Sequence, residues 1–132
     1  MHKSLGVVWM LIFLWPLSAH ASTSGFKTPS GNIACEVYAD ILRCDLRENR
    51  AAVPKAPKDC DLDWGNMFTL STQGKGQRLC AGDTVFGEQQ VLAYGKTWRH
   101  KDFVCQSAKT GLTCTNSKKH GWKLNKIMQR VF

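Results

Sequence analysis

The sequence predicts an all-β protein, a small antiparallel barrel or sandwich built from disulfide-linked hairpins. Three observations support this fold class. A segment with two cysteines at residues 32–45 is repeated at residues 102–115, turn sequences separate short apolar runs, and no apolar pattern keeps the helical period over a long stretch. The 132-residue chain contains six cysteines, and an even number in a small exported chain is typical of a disulfide framework.

Each copy of the repeated segment predicts a hairpin with two directly opposed cysteines. The first copy reads NIACEVYADILRCD and the second DFVCQSAKTGLTCT, and eight residues separate the cysteines in both. If these residues fold back symmetrically, Cys35 faces Cys44 at a distance that suits a disulfide. Cys105 faces Cys114 in the same way. The resemblance is interpreted either as a shared hairpin constraint or as a duplication that produced two related halves.

The two remaining cysteines, Cys60 and Cys80, then form the third bond, although six cysteines allow about fifteen connectivities. In the second hairpin, Gly111 suits the positive φ that a bulged turn requires. The apolar runs along the rest of the chain predict about eight short strands in total.

The first 21 residues predict a secretory signal peptide. Lys3 gives a basic start, Leu5 to Leu17 is apolar, and an A-x-A motif places the cleavage after Ala21. The apolar run is shorter than the roughly twenty residues that a membrane-spanning helix needs. We therefore expect one exported domain, residues 22–132, that is soluble in the periplasm or outside the cell.

The basic charge predicts anionic partners without identifying one. Lys3 is the only charged residue of the leader, so the exported part carries seventeen basic and ten acidic side chains, a net charge of +7. Such a charge attracts lipid headgroups, anionic glycans and nucleic acid. The charges are scattered rather than clustered, which favours a solvated surface over a specific nucleic-acid site.

An acidic turn, Asp59 to Gly65, invites a comparison with calcium-binding loops. An EF-hand loop that began at Asp59 would need Gly at its sixth position and Glu at its twelfth. The sequence has Trp64 and Leu70 there. The spacing therefore favours a turn in which Asp side chains bond to nearby backbone, and no metal or other cofactor is predicted.

Catalytic motifs are not recognised in the sequence. Only His100 and His120 follow the leader, and there is no nucleophile elbow, phosphate loop or dinucleotide fingerprint. The residues predicted to contact a ligand are aromatic or polar side chains of loops, namely Asp61, Asp63, Trp64, His120 and Trp122. No catalytic residue is predicted.

Two further segments have a predicted conformation. Arg47 to Asp59 contains two prolines and several small residues, which favours an extended surface connection. Asn125 is expected to cap a short C-terminal helical turn that places Ile127 and Val131 on one side.

Several short motifs together resemble the DUF6636 family of small secreted bacterial proteins of unknown function. These motifs are FKTPSGNIAC at 26–35, LRCD at 42–45, CDLDWG at 60–65, CAGDT at 80–84, LAYG at 92–95, FVC at 103–105, GLTCTN at 111–116 and HGWKL at 120–124. The resemblance covers nearly all of the chain after the leader. It implies export and a cysteine framework, and it implies no activity. Trp122 stands where the family is expected to have Phe.

These observations favour a non-catalytic binding module of the cell envelope. Its partner would be an envelope protein or an anionic glycan or lipid. Two alternatives remain open at this point: a secreted or periplasmic enzyme inhibitor, and a salt-sensitive binder of envelope polyanions, whose affinity would fall steeply with salt.

Overall fold

The computed structural model of the chain describes residues 2–4, 6–14 and 24–132. Residues 6–14 form neither helix nor strand, and their large apolar side chains are exposed, so they add nothing to the core. The predicted cleavage site after Ala21 lies outside the described residues. Among the residues that are described, no helix is long and apolar enough to cross a membrane.

Ten short strands form two antiparallel sheets of five strands each. The first sheet consists of β1 (Gly25–Lys27), β2 (Ile33–Tyr38), β3 (Ile41–Leu46), β4 (Met67–Leu70) and β5 (Gln77–Arg78). The second consists of β6 (Thr97–His100), β7 (Phe103–Ala108), β8 (Gly111–Thr115), β9 (Gly121–Leu124) and β10 (Gln129–Val131). Within each sheet every strand pairs with the next one in sequence, so each sheet is a meander.

The all-β prediction is confirmed, and the two sheets remain separate rather than closing into one barrel. The predicted C-terminal helical turn is wrong. The Asn125 side-chain oxygen does accept hydrogen bonds from the backbone N–H groups of Ile127 and Met128, at 3.0 and 2.7 Å. The chain then reverses, and β10 pairs with β9. Asn125 therefore closes a hairpin turn instead of starting a helix.

All three predicted disulfides are present, and no free cysteine is found in the described part of the chain. The bonds Cys35–Cys44 and Cys105–Cys114 join directly opposed residues of β2/β3 and β7/β8, with Cα atoms 4.1 Å apart in both. Gly111 has a φ of 140°, which agrees with the turn predicted for the second hairpin. Three disulfides are typical of proteins that fold in an oxidising, exported environment.

The repeat extends beyond the hairpins to the outer strands of both sheets. Phe26 on β1 faces Cys35, and Trp98 on β6 faces Cys105 in the same register. Phe26 and Trp98 are therefore equivalent residues of the two halves, although the repeated motif in the sequence begins several residues after each of them.

The fourth strands of the two halves, β4 and β9, also pair with their neighbours in the same register. Phe68 on β4 faces Cys44, and Trp122 on β9 faces Cys114. All four residues are completely buried. Since the register is the same on both sides of each disulfide, five strands, and not two, make up the repeating unit.

The two sheets pack their equivalent faces against each other in a single core. The ring of Phe26 lies 5.0 Å from that of Trp98, and the ring of Phe68 lies 6.1 Å from that of Trp122. Each contact joins a residue to its own equivalent in the other half. Contacts of this kind are the signature of a two-fold relation between the halves. The structure thus favours the duplication over a chance similarity of two hairpins.

The other face of the first sheet is covered by the loop that leads to β6, and the buried residues Arg43 and Asp45 of β3 fasten this loop. Arg43 on β3 bonds to the Asp45 carboxylate at 2.8 Å and to the Asp83 carboxylate at 2.8 Å. Asp45 also accepts a hydrogen bond from the backbone N–H of Val85 at 3.0 Å. Burial opposes the charged form of Arg43, but hydrogen bonds to both carboxylates outweigh it and raise the pKa of Arg43.

We expect the two equivalent disulfides to contribute equally to stability. The double variants Cys35→Ala/Cys44→Ala and Cys105→Ala/Cys114→Ala each open a small ring of equal size, so each should lose roughly 2.5–3 kcal/mol of unfolding free energy. Denaturant titration under oxidising conditions measures both losses. A loss confined to one double variant would contradict the energetic equivalence of the halves.

The contribution of the Arg43–Asp83 pair should depend on pH. The hydrogen bond from Arg43 lowers the pKa of Asp83 below its ordinary value of 3.8. A carboxyl group with a lowered pKa stabilises the fold above its unfolded-state pKa and loses that effect as the pH falls through the folded-state pKa. Asp83→Asn should therefore lower the melting temperature at neutral pH, and this difference from the wild type should shrink below a pH of about 4.

The control for this experiment is Asp61→Asn, because the Asp61 carboxylate is exposed and has no ion pair among the described residues. A difference between Asp83→Asn and the wild type that stays constant down to low pH would contradict the expectation.

Candidate functional site

Trp122 is not available to a ligand, which corrects its prediction as a binding residue. Its side chain is completely buried between the sheets, against Phe68. The sequence places it in an alternating strand next to a basic loop, and such a position does not reveal which face of the strand is inside. The equivalence of Trp122 with Phe68 explains the large apolar side chain at this position.

Two sets of contacts hold the acidic turn in place. Asp63 and Ala81 pair through two backbone hydrogen bonds of 3.1 Å, beside the Cys60–Cys80 bond. The half-buried Trp64 donates from its indole nitrogen to the Pro54 carbonyl oxygen at 2.9 Å. Trp64 thereby holds the extended connection of residues 47–59 against the turn, which is a structural contact.

Asp61 and Asp63 are exposed residues of the acidic turn. Among the described residues there is no group of three or more His, Cys, Asp or Glu side chains that could hold an ion. The alternating acids are therefore solvent-facing residues of a turn.

His120 ends a loop that a buried asparagine organises. The side-chain oxygen of Asn116 accepts hydrogen bonds from the N–H groups of Lys118 and His120 at 3.0 and 3.1 Å. Its amide group donates to the carbonyl oxygens of Ser71 and Gly74, in the other sheet, at 2.9 and 2.8 Å. The structure thus gives Asn116 a clear structural role and gives His120 no polar side-chain partner among the described residues.

A cleft of about 790 Å³ lies at one end of the molecule, between turns of the two halves. Two segments of the first half and two of the second line it, together with Tyr94 from the connecting loop: 28, 30–33, 47–48, 108–112 and 124–127. Of the five predicted binding residues, none lines this cleft. We define this space as the end cleft.

The floor of the end cleft is apolar, and two exposed apolar side chains form part of its walls. Ile33, Leu112 and Leu124 form the floor, where the two sheets meet. The Ile127 side chain is 67% exposed and the Tyr94 side chain 43% exposed. Exposed apolar groups that are grouped in a concave site are typical of ligand pockets.

The rim of the end cleft has positive charge that the protein itself does not neutralise. Arg47, Lys109 and Lys126 line it, and none has an ion-pair partner within the described residues. The guanidinium group of Arg47 lies 4.3 Å from the centre of the Phe86 ring, a cation–π contact that adds no opposite charge. The one acidic residue of the lining, Glu48, pairs with Arg50 at 2.7 Å.

Polar side chains at the ends of the strands fix the shape of the end cleft. Asn32 and Glu48 are joined by two hydrogen bonds, of 3.2 and 2.8 Å, which hold the β1–β2 turn to the residues after β3. On the opposite wall, the Asn125 amide donates to the Thr110 carbonyl oxygen at 3.0 Å. Backbone hydrogen bonds on both sides of Tyr94 hold it in place. The Leu92 N–H donates to the Lys27 carbonyl oxygen, and the Gly95 N–H donates to the Ser107 carbonyl oxygen in the second sheet.

The opposite end of the molecule, which the two-fold relation makes equivalent, is bridged. Lys101 in the β6–β7 turn forms an ion pair of 3.5 Å with Asp40 in the β2–β3 turn. Asn116 adds its two hydrogen bonds to Ser71 and Gly74. The ion pair and the Asn116 hydrogen bonds both join the first half to the second at this end.

At the cleft end, the Arg50 N–H donates to the Lys126 carbonyl oxygen at 2.6 Å, which joins the two halves beside the cleft. Among the described residues, no hydrogen bond or ion pair joins the turns 28–33 and 108–112 to each other. The lengths of the connections differ as well. The β1–β2 connection has five residues, whereas the equivalent β6–β7 connection has two. The end cleft is thus the place where the two halves differ.

Sequence reasoning missed the end cleft because its walls come from five separate segments. Pro29–Asn32 and Ala108–Gly111 have turn sequences, whereas the segment after Asn125 is predicted as a helical turn. Only the two-fold relation, which brings the β1–β2 turn against the β7–β8 turn, would have shown that they meet.

We expect Trp64 to act through structure rather than through binding. Trp64→Phe keeps the ring but loses the hydrogen bond to Pro54, so stability should fall by about 1 kcal/mol. Ligand capture by the protein should be unchanged. Thermal unfolding measures the first effect, and reduced ligand capture by a folded Trp64→Phe variant would contradict the structural role.

A comparison with known proteins gives one match. A model described as a family of unknown function, DUF6636, matches residues 7–132. No curated protein and no solved structure matches the chain. Since the match covers almost the whole length, including both sheets and every lining residue of the end cleft, the chain belongs to the DUF6636 family.

Proposed function

We propose that the protein is a non-catalytic binding module and that the end cleft is its ligand site. One observation carries this proposal: an apolar floor and three cationic side chains without ion-pair partners in the described chain occur together in the same cleft. The volume of about 790 Å³ lies within the range typical of sites for small molecules.

The chemistry of the lining supports binding over turnover. Its titratable side chains are Arg47, Glu48, Tyr94, Lys109 and Lys126. The general acid or base of an enzyme that works near neutral pH is most often a His. The Glu48 carboxylate is an exposed partner of Arg50, and the lining contains no His and no Cys.

The disulfides support a place of action in an oxidising compartment. We propose that the protein acts in the periplasm or outside the cell, after removal of the leader, and that its ligand is a component of the cell envelope. Net charge alone would produce a different behaviour, a mixed capture of polyanions that salt removes.

A second candidate function, inhibition of an enzyme, has one observation in its favour. The tip of the first hairpin has two exposed apolar side chains next to each other, Tyr38 at 57% and Ile41 at 39%. Ala39 between them has a φ of 52°, a conformation that is unusual for a residue with a side chain. Such a rigid tip is suited to insertion into a groove of another protein.

The test of the proposed function is capture of envelope components by the oxidised protein at low and high salt, with a variant whose cleft is blocked. Thr110 is exposed and lines the end cleft, so Thr110→Trp should fill part of it. We expect wild-type protein to retain a discrete compound at high salt, and Thr110→Trp to retain at least about tenfold less of it, an affinity loss of roughly 1.4 kcal/mol.

Asp40→Trp is the matched control, because Asp40 occupies the position of Thr110 in the first hairpin, at the bridged end. It removes only an exposed ion pair, which contributes little to stability. Equal loss of capture in both variants, or a capture that salt abolishes completely, would contradict the end cleft as the ligand site. Loss through Asp40→Trp alone would favour the inhibitor function of the hairpin tip.

A further inference from the structure

The end cleft presents two surfaces that a single ligand must satisfy. Ile127 and Tyr94 are exposed beside a floor of buried aliphatic side chains. This part favours an apolar group, because covering such side chains removes apolar surface from water. The cationic rim lies next to it, so both surfaces are within reach of one molecule.

The rim selects the sign of the charge on that ligand. Lys109 and Lys126 lie on turns of the second half, and Arg47 follows β3 of the first half. Their charges are therefore presented from both sides of the end cleft. A neutral apolar ligand would bury or crowd these cations without compensation, whereas an anionic group would complement them.

A polyanion without an apolar part also fits poorly. It would satisfy the rim but leave Ile127 and Tyr94 in water, and it would gain nothing from the floor. A polar ligand would moreover need hydrogen-bond partners at the floor. Several polar groups of the cleft already bond within the protein, among them Thr28 with Ile33 and Asn125 with Thr110.

We propose that the ligand of the end cleft is a single-chain amphiphile with an acidic headgroup, a proposal that rests on the proposed binding function. The apolar chain lies on the floor, against Ile127 and Tyr94. The acidic headgroup lies at the rim, where it contacts Lys109, Lys126 and Arg47. Each chain binds one such molecule, because Asn116 and the Lys101–Asp40 pair bridge the equivalent end.

The experiment is calorimetric titration of the oxidised wild-type protein with four probes at concentrations below micelle formation. The probes are dodecanoate, octanoate, dodecyl maltoside and inorganic phosphate. We expect a stoichiometry of one. Dodecanoate has four more methylenes than octanoate, so it should bind at least about tenfold more tightly, and about 200-fold if all four are fully buried. Dodecyl maltoside, which has the same chain without a charge, and inorganic phosphate should both bind more weakly than dodecanoate.

Two variants separate the two parts of the ligand. Lys109→Gln/Lys126→Gln should weaken dodecanoate binding about tenfold and leave dodecyl maltoside unaffected. Its matched control, Lys55→Gln/Lys58→Gln, removes the same charge from exposed lysines of the connection outside the end cleft and should change nothing. Ile127→Ser, at an exposed position that folding does not need, should weaken both amphiphiles.

Three results would overturn the inference. Equal affinity for dodecanoate and dodecyl maltoside would show that the acidic headgroup is not recognised. Equal affinity for dodecanoate and octanoate would show that the apolar chain does not contribute to binding. A complete lack of amphiphile binding would rule out amphiphiles as the ligand class. The binding function itself would survive any of these results if Thr110→Trp still abolished high-salt capture of another compound, and it would fail if that capture did not depend on the end cleft.

Discussion

The fold depends on one constraint, the burial of two matching sheet faces around the strand-bridging disulfides. Phe26 meets Trp98 on one side of the core and Phe68 meets Trp122 on the other. Each of these residues faces a cysteine in its own sheet. A five-stranded meander with such a face has no other element to cover it, so each half requires the other. The disulfides restrict each hairpin before this packing forms, which reduces the entropy lost in folding.

A two-fold core does not require two identical ends. The same relation that places the β6–β7 turn beside the tip of the first hairpin places the β1–β2 turn beside the tip of the second. At the first of these ends an ion pair and the side chain of Asn116 join the halves. At the other end the β1–β2 turn is longer and the described turns 28–33 and 108–112 do not bond to each other, so the end cleft lies between them, beside the Arg50–Lys126 backbone bond. The two halves thus share one core but form different ends, and only one end has the cleft that we propose as a ligand site.

The outer-face ion pair connects the stability of the first sheet with the end cleft. Arg43 fixes the loop at Asp83, and Asp45 fixes it again at Val85. The loop then pairs with β1 and continues to Tyr94, which lines the cleft. Arg43 and Asp45 are buried and bond to each other, whereas the Asp83 carboxylate of the loop segment is exposed. Here that segment supplies one wall of the proposed ligand site.

The sequence by itself determined the disulfides, the hairpins and the all-β class. Local rules are sufficient for these features, because the symmetric spacing of Cys35 and Cys44 around a turn defines their register. It does not determine which face of a strand is inside, so the burial of Trp122 does not follow from it. It also does not show that the chain after Asn125 returns as a strand. Only the tertiary structure decided that the two repeats pack face to face and that a cleft lies at one end. Those features depend on contacts between residues far apart in the chain, which no local pattern encodes.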